Sequence, residues 1–140
     1  MYNQYNQAIL VLSHNSLDFS APMAQHGRMN TIVEFDRYLK KAAKFLSEKE
    51  RDEVGAYLAR KPTAGVVIEG TGGVRKLRWA RQGGGKSGGV RVIYYFHSPL
   101  FPVFLMDLYA KNEKENLSQK ERNDLAKAVD ALVKQYGKQS

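Results

Sequence analysis

The residues best suited to chemistry in this sequence are six cations near its middle. Between Gly70 and Met106 the sequence has no Asp or Glu, although the whole chain has 14 acidic residues and a net charge of +8. The six cations are Arg75, Lys76, Arg78, Arg81, Lys86 and Arg91. Positive charges without counter-charges repel one another, so such a cluster is typical of a surface that binds a polyanion, with nucleic acid the first candidate.

The spacing of these cations assigns three of them to one surface. Residues two apart in a strand share a face, so Lys76 and Arg78 share a face of a strand predicted over 74–80. Leu77 and Trp79 alternate with them and should point the other way, into the core. Arg91 lies in a facing strand predicted over 90–97. If the two strands pair, the three cations converge on one open surface with no carboxylate among them.

Two more residues could reach this surface. Tyr95 shares the face of Arg91, where it could stack a base or pack in the core. Lys111 follows a third strand predicted over 103–110, where it could contact the same ligand or be an ordinary solvated loop residue.

A glycine-rich stretch, "ARQGGGKS" at 80–87, nearly satisfies the rule for a phosphate-binding P-loop. A P-loop requires a helix directly after its glycines, because the helix N-terminus binds the phosphates. Here the following "GGVRVIYYF" is β-branched and aromatic and predicts a strand. The stretch is therefore interpreted as a hairpin loop and not as a nucleotide site.

Composition excludes several classes of protein. A chain of 140 residues fits one domain. It has no cysteine and only three scattered histidines, so neither disulfides nor a zinc site is expected, and no metal or other cofactor is predicted. No apolar run approaches the ~20 residues of a membrane span. A cytoplasmic protein without a membrane partner is expected.

The residues before Met29 have no sustained pattern, and 1–28 are predicted to be a poorly ordered extension or an upstream start. The folded domain is assigned to 29–140. It should begin with a strand over 31–35.

Two short helices should follow and form a hairpin. Asp36 is the expected N-cap of the first helix, and the Ser47–Glu50 capping box starts the second, which ends near Arg60. The inward face of the first helix is predicted to hold Leu39, Ala42, Ala43 and Leu46.

The three strands are expected to form a mainly antiparallel sheet, and a last helix should follow them. Ser118 and Glu121 form a second capping box, and apolar residues follow it at helical spacing. The fold class is therefore α+β, with an N-terminal helical hairpin packed on the sheet and a C-terminal helix.

Three blocks of the sequence resemble signature blocks of the RelE/HigB toxins of bacterial type II toxin–antitoxin systems: "VIEGTGGVRKLRWA", "GKSGGVRVIYYF" and "LYAKNEKENLS". The likeness is to the HigB-like branch and extends from residue 32 to about 134. It implies a RelE/ParE-like fold with a curved sheet, and a cognate antitoxin, of helix-turn-helix type, as partner. It also implies metal-independent cleavage of messenger RNA on the ribosome.

The resemblance also assigns roles to residues. Lys76 and Arg78 match the family's pair of basic residues on the sheet, and Arg91 matches the arginine of the next strand, so these three are the catalytic candidates. The candidates for binding RNA are Arg75, Arg81, Lys86, Tyr95, Lys111 and Asn112. Ser118 stands where some relatives have a tyrosine, and the Glu–His pair of another branch is absent. No residue is therefore assigned as general acid or base.

Two alternative functions have different chemistry. A toxin of the same fold can act without catalysis by binding and poisoning a protein target such as DNA gyrase, and the sheet cations would then be dispensable. A plain RNA-binding module would bind transcripts and leave them intact.

Overall fold

The computed structural model describes residues 3–5, 10–12, 29–80 and 89–137. Over these ranges it has six strands and three helices and belongs to the α+β class, as predicted. In chain order the elements are β1 (Leu10–Leu12), β2 (Ile32–Phe35), α1 (Asp36–Phe45), α2 (Glu48–Arg60), β3 (Val66–Val67), β4 (Val74–Trp79), β5 (Val90–Tyr95), β6 (Val103–Ala110) and α3 (Gln119–Gly137).

The strands form one sheet in the order β1-β2-β6-β5-β4-β3. Neighbouring strands are antiparallel except β2 and β6, which are parallel. The three predicted strands correspond to β4, β5 and β6 and form the expected antiparallel meander. Every residue of β5 and β6 is buried, because each of these strands has a neighbour on both sides and helices pack on the sheet.

The start of α2 is the predicted capping box. Ser47 Oγ accepts a hydrogen bond from the Glu50 backbone N–H (3.1 Å), and Glu50 Oε1 accepts one from the Ser47 N–H (2.9 Å). The two helices follow each other as expected, with only Leu46 and Ser47 between them. Their antiparallel arrangement stays a prediction.

The prediction for the start of α1 was wrong by one residue. Phe35 is the N-cap, without a side-chain hydrogen bond, and Asp36 is the first helical residue. The reason is that β2 runs directly into α1, so the buried Phe35 is the last extended residue. The inward face was also partly wrong, since Tyr38 and Ala42 are buried and Ala43 is exposed.

The helices pack on both faces of the sheet. Tyr57 of α2 makes an edge contact with Trp79 of β4 (ring centroids 5.8 Å apart), on the face opposite Lys76 and Arg78. Tyr136 of α3 makes an edge contact with Phe104 of β6 (5.3 Å). The register pairs Phe104 with Tyr95, and Tyr95 shares the face of Arg91. α3 therefore covers part of the face that carries the cations.

Two short stretches of the N-terminal segment pack against the domain. Tyr5 is buried and donates a hydrogen bond to Asp107 Oδ2 (3.0 Å), and Asn3 Nδ2 donates to the Asp124 carbonyl of α3 (3.0 Å). β1 pairs with β2. The other residues before Met29 lie outside the described ranges, so the poorly ordered extension or upstream start over 1–28 stays a prediction.

α3 begins with the second predicted capping box. Ser118 Oγ accepts from the Glu121 N–H (3.1 Å), and Glu121 Oε1 accepts from the Ser118 N–H (2.8 Å). Lys114 also forms an ion pair with Glu121. Burial acts to raise the pKa of Glu121, but the hydrogen bonds from Lys114 and from the Ser118 backbone outweigh burial and hold that pKa below its usual value.

We therefore expect Glu121 to contribute acid-sensitive stability. A carboxylate whose folded-state pKa is depressed stabilises the fold above the unfolded-state pKa of about 4.3, and the contribution is lost as pH falls through the folded-state pKa. Glu121→Gln keeps an oxygen that can accept from the Ser118 N–H but removes the charge that pairs with Lys114 and faces the N-terminus of α3, so it should lower the free energy of unfolding at pH 7 by about 1 kcal/mol. The difference from wild type should shrink below pH 4.

Urea denaturation at pH 7 and pH 3.5 measures this difference. Glu53→Gln, which removes an exposed carboxylate from α2, is the matched control. A deficit of Glu121→Gln that stays constant between the two pH values would contradict the expectation.

Candidate functional site

The sheet register brings three of the predicted cations to one face. Arg78 of β4 lies directly opposite Arg91 of β5, and directly paired residues have Cβ atoms about 5 Å apart. Lys76 lies two residues before Arg78 and therefore shares its face. We call Lys76, Arg78 and Arg91 the cation surface.

A cavity of about 180 Å³ opens between the two arginines. We call it the arginine cavity, and it is lined by Arg78, Trp79, Ala80, Gly89, Arg91 and Lys111. The Lys111 backbone N–H donates to the Gly89 carbonyl (3.1 Å), which holds the turn after β6 beside the cavity. Lys111, for which the sequence left two interpretations open, thus lies at the same site as the arginines.

Gly89 allows the close approach of two backbones and a guanidinium. A Cβ at this position would lie 3.2 Å from the Trp79 carbonyl oxygen and 3.7 Å from Arg91 Nη1. A larger residue would therefore press on the β4 backbone and would be in van der Waals contact with the Arg91 side chain.

The cation surface has little internal compensation of its charge. Among the described residues Lys76 and Arg78 have no ion pair or hydrogen bond, and the acceptor seen for Arg91 is the Val90 carbonyl (3.4 Å from Nη1). Arg91 is only 9% exposed. Like charges opposite each other destabilise a sheet. An arriving anion would relieve that repulsion.

One carboxylate does lie on this face, against the expectation of none. Asp107 pairs with Ile93, so it lies diagonally across from Arg91. It is 1% exposed, and its Oδ2 accepts from Tyr5 Oη and from Arg37 Nε (3.0 Å each). Burial and the neighbouring Asp107 carboxylate raise the pKa of Tyr5. Asp107 thus pairs with Arg37 and Tyr5 and forms no ion pair with Arg78 or Arg91 in the described part of the chain.

Two predicted RNA contacts do not reach the cation surface. Arg75 lies on the opposite face, and its Nη1 donates to the carbonyls of Thr63 (3.2 Å) and Gly65 (2.8 Å). Tyr95 is 5% exposed, and its hydroxyl is 2.8 Å from His97 Nδ1. Burial raises the pKa of Tyr95. Arg75 supports a loop, and Tyr95 packs in the core on a central strand.

The other predicted contacts divide into two groups. Asn112 is exposed in the turn after β6 and does not line the arginine cavity. Arg81 and Lys86, together with almost all of the P-loop-like stretch, lie outside the described residues.

A second cavity, of about 240 Å³, lies beside the cation surface and holds residues that sequence reasoning missed. We call it the Arg122 cavity, and it is lined by Ile68, Lys76, Tyr109, Asn116, Leu117 and Arg122. Tyr109 lies directly opposite Arg91 in the register. Burial raises the pKa of Tyr109, although the nearby Arg91 acts to lower it. Strand alternation along β6 could have indicated that Tyr109 lies on the face of the cation surface. No sequence pattern indicates that Arg122 lies beside β4.

Neither a metal site nor a membrane-spanning helix is found in the part of the chain that the structure describes. No group of three or more His, Asp or Glu side chains there could hold a metal ion. None of the helices in those ranges is long and apolar enough to span a membrane.

The sequence matches a known protein family over residues 64–139, which is more than half of the chain. The family is described as the RelE toxin of the RelE / RelB toxin–antitoxin system. The matched region contains the cation surface and every residue that lines the two cavities.

Proposed function

We propose that this chain, which belongs to the RelE toxin family, is a ribosome-dependent endoribonuclease that cleaves messenger RNA and so inhibits translation. Membership of the family makes it the toxin of a toxin–antitoxin system, and an antitoxin is its partner. Its place in the HigB-like branch and a helix-turn-helix antitoxin are parts of the proposal that rest on the three sequence blocks quoted above.

The opposed pair of Arg78 and Arg91 carries the proposal. Two guanidinium groups at one cavity, with Lys111 beside them, offer several N–H donors to the oxygens of one phosphate. Arginine suits this task because its planar fork matches phosphate oxygens bidentately and stays charged. Among the residues that the structure describes, the lining of the arginine cavity includes no carboxylate that would offset the charge of the two arginines there.

RNA carries the nucleophile for its own cleavage. The 2′-hydroxyl next to the scissile linkage attacks the phosphorus, the bond to the 5′-oxygen breaks, and the products are a 2′,3′-cyclic phosphate and a 5′-hydroxyl. The proton lost by the 2′-oxygen goes to a base, and the leaving 5′-oxygen takes up a proton. Arg78 and Arg91 stabilise the extra negative charge of the transition state, and Lys76, which shares their face, is the candidate to carry a proton or add further stabilisation.

Dependence on the ribosome follows from the residues that line the arginine cavity. Within the described part of the chain they include no histidine or carboxylate that could serve as a strong general base. The ribosome would supply what this site lacks by holding the message in an in-line geometry, and correct orientation can lower a barrier by ~7–11 kcal/mol.

Mapping of transcript 5′ ends after induction of the wild-type protein tests the proposal. We expect new ends with 5′-hydroxyl groups inside translated regions, and fewer of them when translation initiation is blocked. Growth arrest without new ends would rule out a nuclease.

A further inference from the structure

The Arg122 cavity adjoins the arginine cavity on the same face. Lys76, which lines the first, lies two residues before Arg78, which lines the second. The two positions are about 7 Å apart along β4. Tyr109 and Arg91 join the cavities again through the β5–β6 register. A strand of RNA with its scissile phosphate at the arginines would therefore bring an adjacent nucleotide to the Arg122 cavity.

Arg122 has donors that the protein does not use. Its Nη2 donates to Gln119 Oε1 (3.0 Å), which fixes the guanidinium from its own helix. Its Nε is buried and has no hydrogen-bond partner. Buried polar groups are rarely left without a partner. An arginine at a cavity whose guanidinium is only partly satisfied by protein acceptors is thus an observation independent of the cation surface.

The remaining lining residues suit a nucleobase. Ile68 and Leu117 provide apolar contacts for a flat ring, and Leu117 is buried. Asn116 is exposed and has no partner among the residues that the structure describes, so its amide can both donate and accept. RNA-binding proteins recognise unstacked bases by this combination of stacking and hydrogen bonds to the base edge.

We propose that the Arg122 cavity binds the nucleotide next to the cleaved linkage, with its base between Ile68 and Leu117. Asn116 hydrogen-bonds to the edge of that base and sets a base preference at one position beside the cut. Arg122 contacts its phosphate or the face of its ring. This subsite rests on the proposed function, because it requires RNA to be the substrate.

The test compares variants on messages that carry each of the four bases at every position flanking a cut, in a reconstituted translation system. Asn116→Ala should reduce the preference at one position by about tenfold, which is the order of one base contact. Arg122→Ala should lower kcat/KM by about 10- to 100-fold, chiefly through KM, because it removes binding and leaves the arginine cavity intact.

Arg60→Ala is the matched control, because Arg60 is an exposed arginine at the end of α2. If Arg122→Ala does not fold, Arg122→Lys keeps the charge without the fork and should still raise KM. An unchanged base profile in Asn116→Ala, together with an unchanged KM in the Arg122 variant, would overturn the subsite while wild-type cleavage stands. A wild-type protein that cuts no message would overturn the proposed function, and the subsite with it.

Discussion

Replacing Arg78 with glutamine is expected to lower the rate of message cleavage by about 10²–10³-fold without lowering the stability of the protein. Arg78 has no partner within the described part of the chain and lies opposite a second arginine. Its removal takes away one charge from the transition state and also one like-charge repulsion from the sheet. Single-turnover cleavage of a translated message and urea denaturation measure the two effects.

This pairing of lower activity with unchanged or higher stability separates a functional cation from a structural one. Arg60→Gln, an exposed arginine on α2, should change neither quantity. A fall in the free energy of unfolding of Arg78→Gln that accounts for its lost activity would show that Arg78 acts on the fold and not on the substrate.

Replacing Asp107 with alanine is expected to lower the free energy of unfolding by about 3 kcal/mol, the lower end of the range for a broken buried ion pair, because Arg37 is partly exposed. The substitution removes the acceptor of both Arg37 Nε and the buried Tyr5 hydroxyl. It also removes the hydrogen bond that links Tyr5 of the N-terminal segment to β6. Tyr5→Phe, which removes one of these hydrogen bonds, should cost about 1 kcal/mol.

Urea denaturation again provides the measurement. The control is Asp130→Ala, because Asp130 pairs with Lys134 on the exposed side of α3 (3.0 Å) and such pairs contribute less than about 1 kcal/mol. If Asp107→Ala proved no less stable than Asp130→Ala, the buried network of Tyr5, Arg37 and Asp107 would have no structural role.

Features that depend on local sequence could be predicted. The capping boxes at Ser47 and Ser118 were found because their partners lie three residues away. The shared face of Lys76 and Arg78 followed from strand alternation alone. The same alternation puts Arg75 on the side of β4 that carries Leu77 and Trp79, but Arg75 was selected as an RNA contact for its charge.

Features that depend on tertiary packing could not be predicted. Tyr95 has the right face for RNA, but α3 covers that part of the sheet, and nothing in the sequence of β5 indicates this. Tyr5 lies in a segment without hydrophobic periodicity, so no sequence pattern indicates its contact with Asp107. Arg122 lies at the site because α3 packs across the sheet. Arg122 is far from β4 along the chain, and no sequence pattern indicates that the two lie close together.

The most direct test of the account is primer extension on a translated message, with wild type beside the variant Lys76→Ala/Arg78→Ala/Arg91→Ala. We expect new cleavage ends with wild type and none with the triple variant, provided that the variant unfolds at a temperature no lower than wild type. A folded triple variant that still cuts the message would contradict the account. Growth arrest without cutting, by wild type and variant alike, would do so too and would indicate a toxin that poisons a protein target.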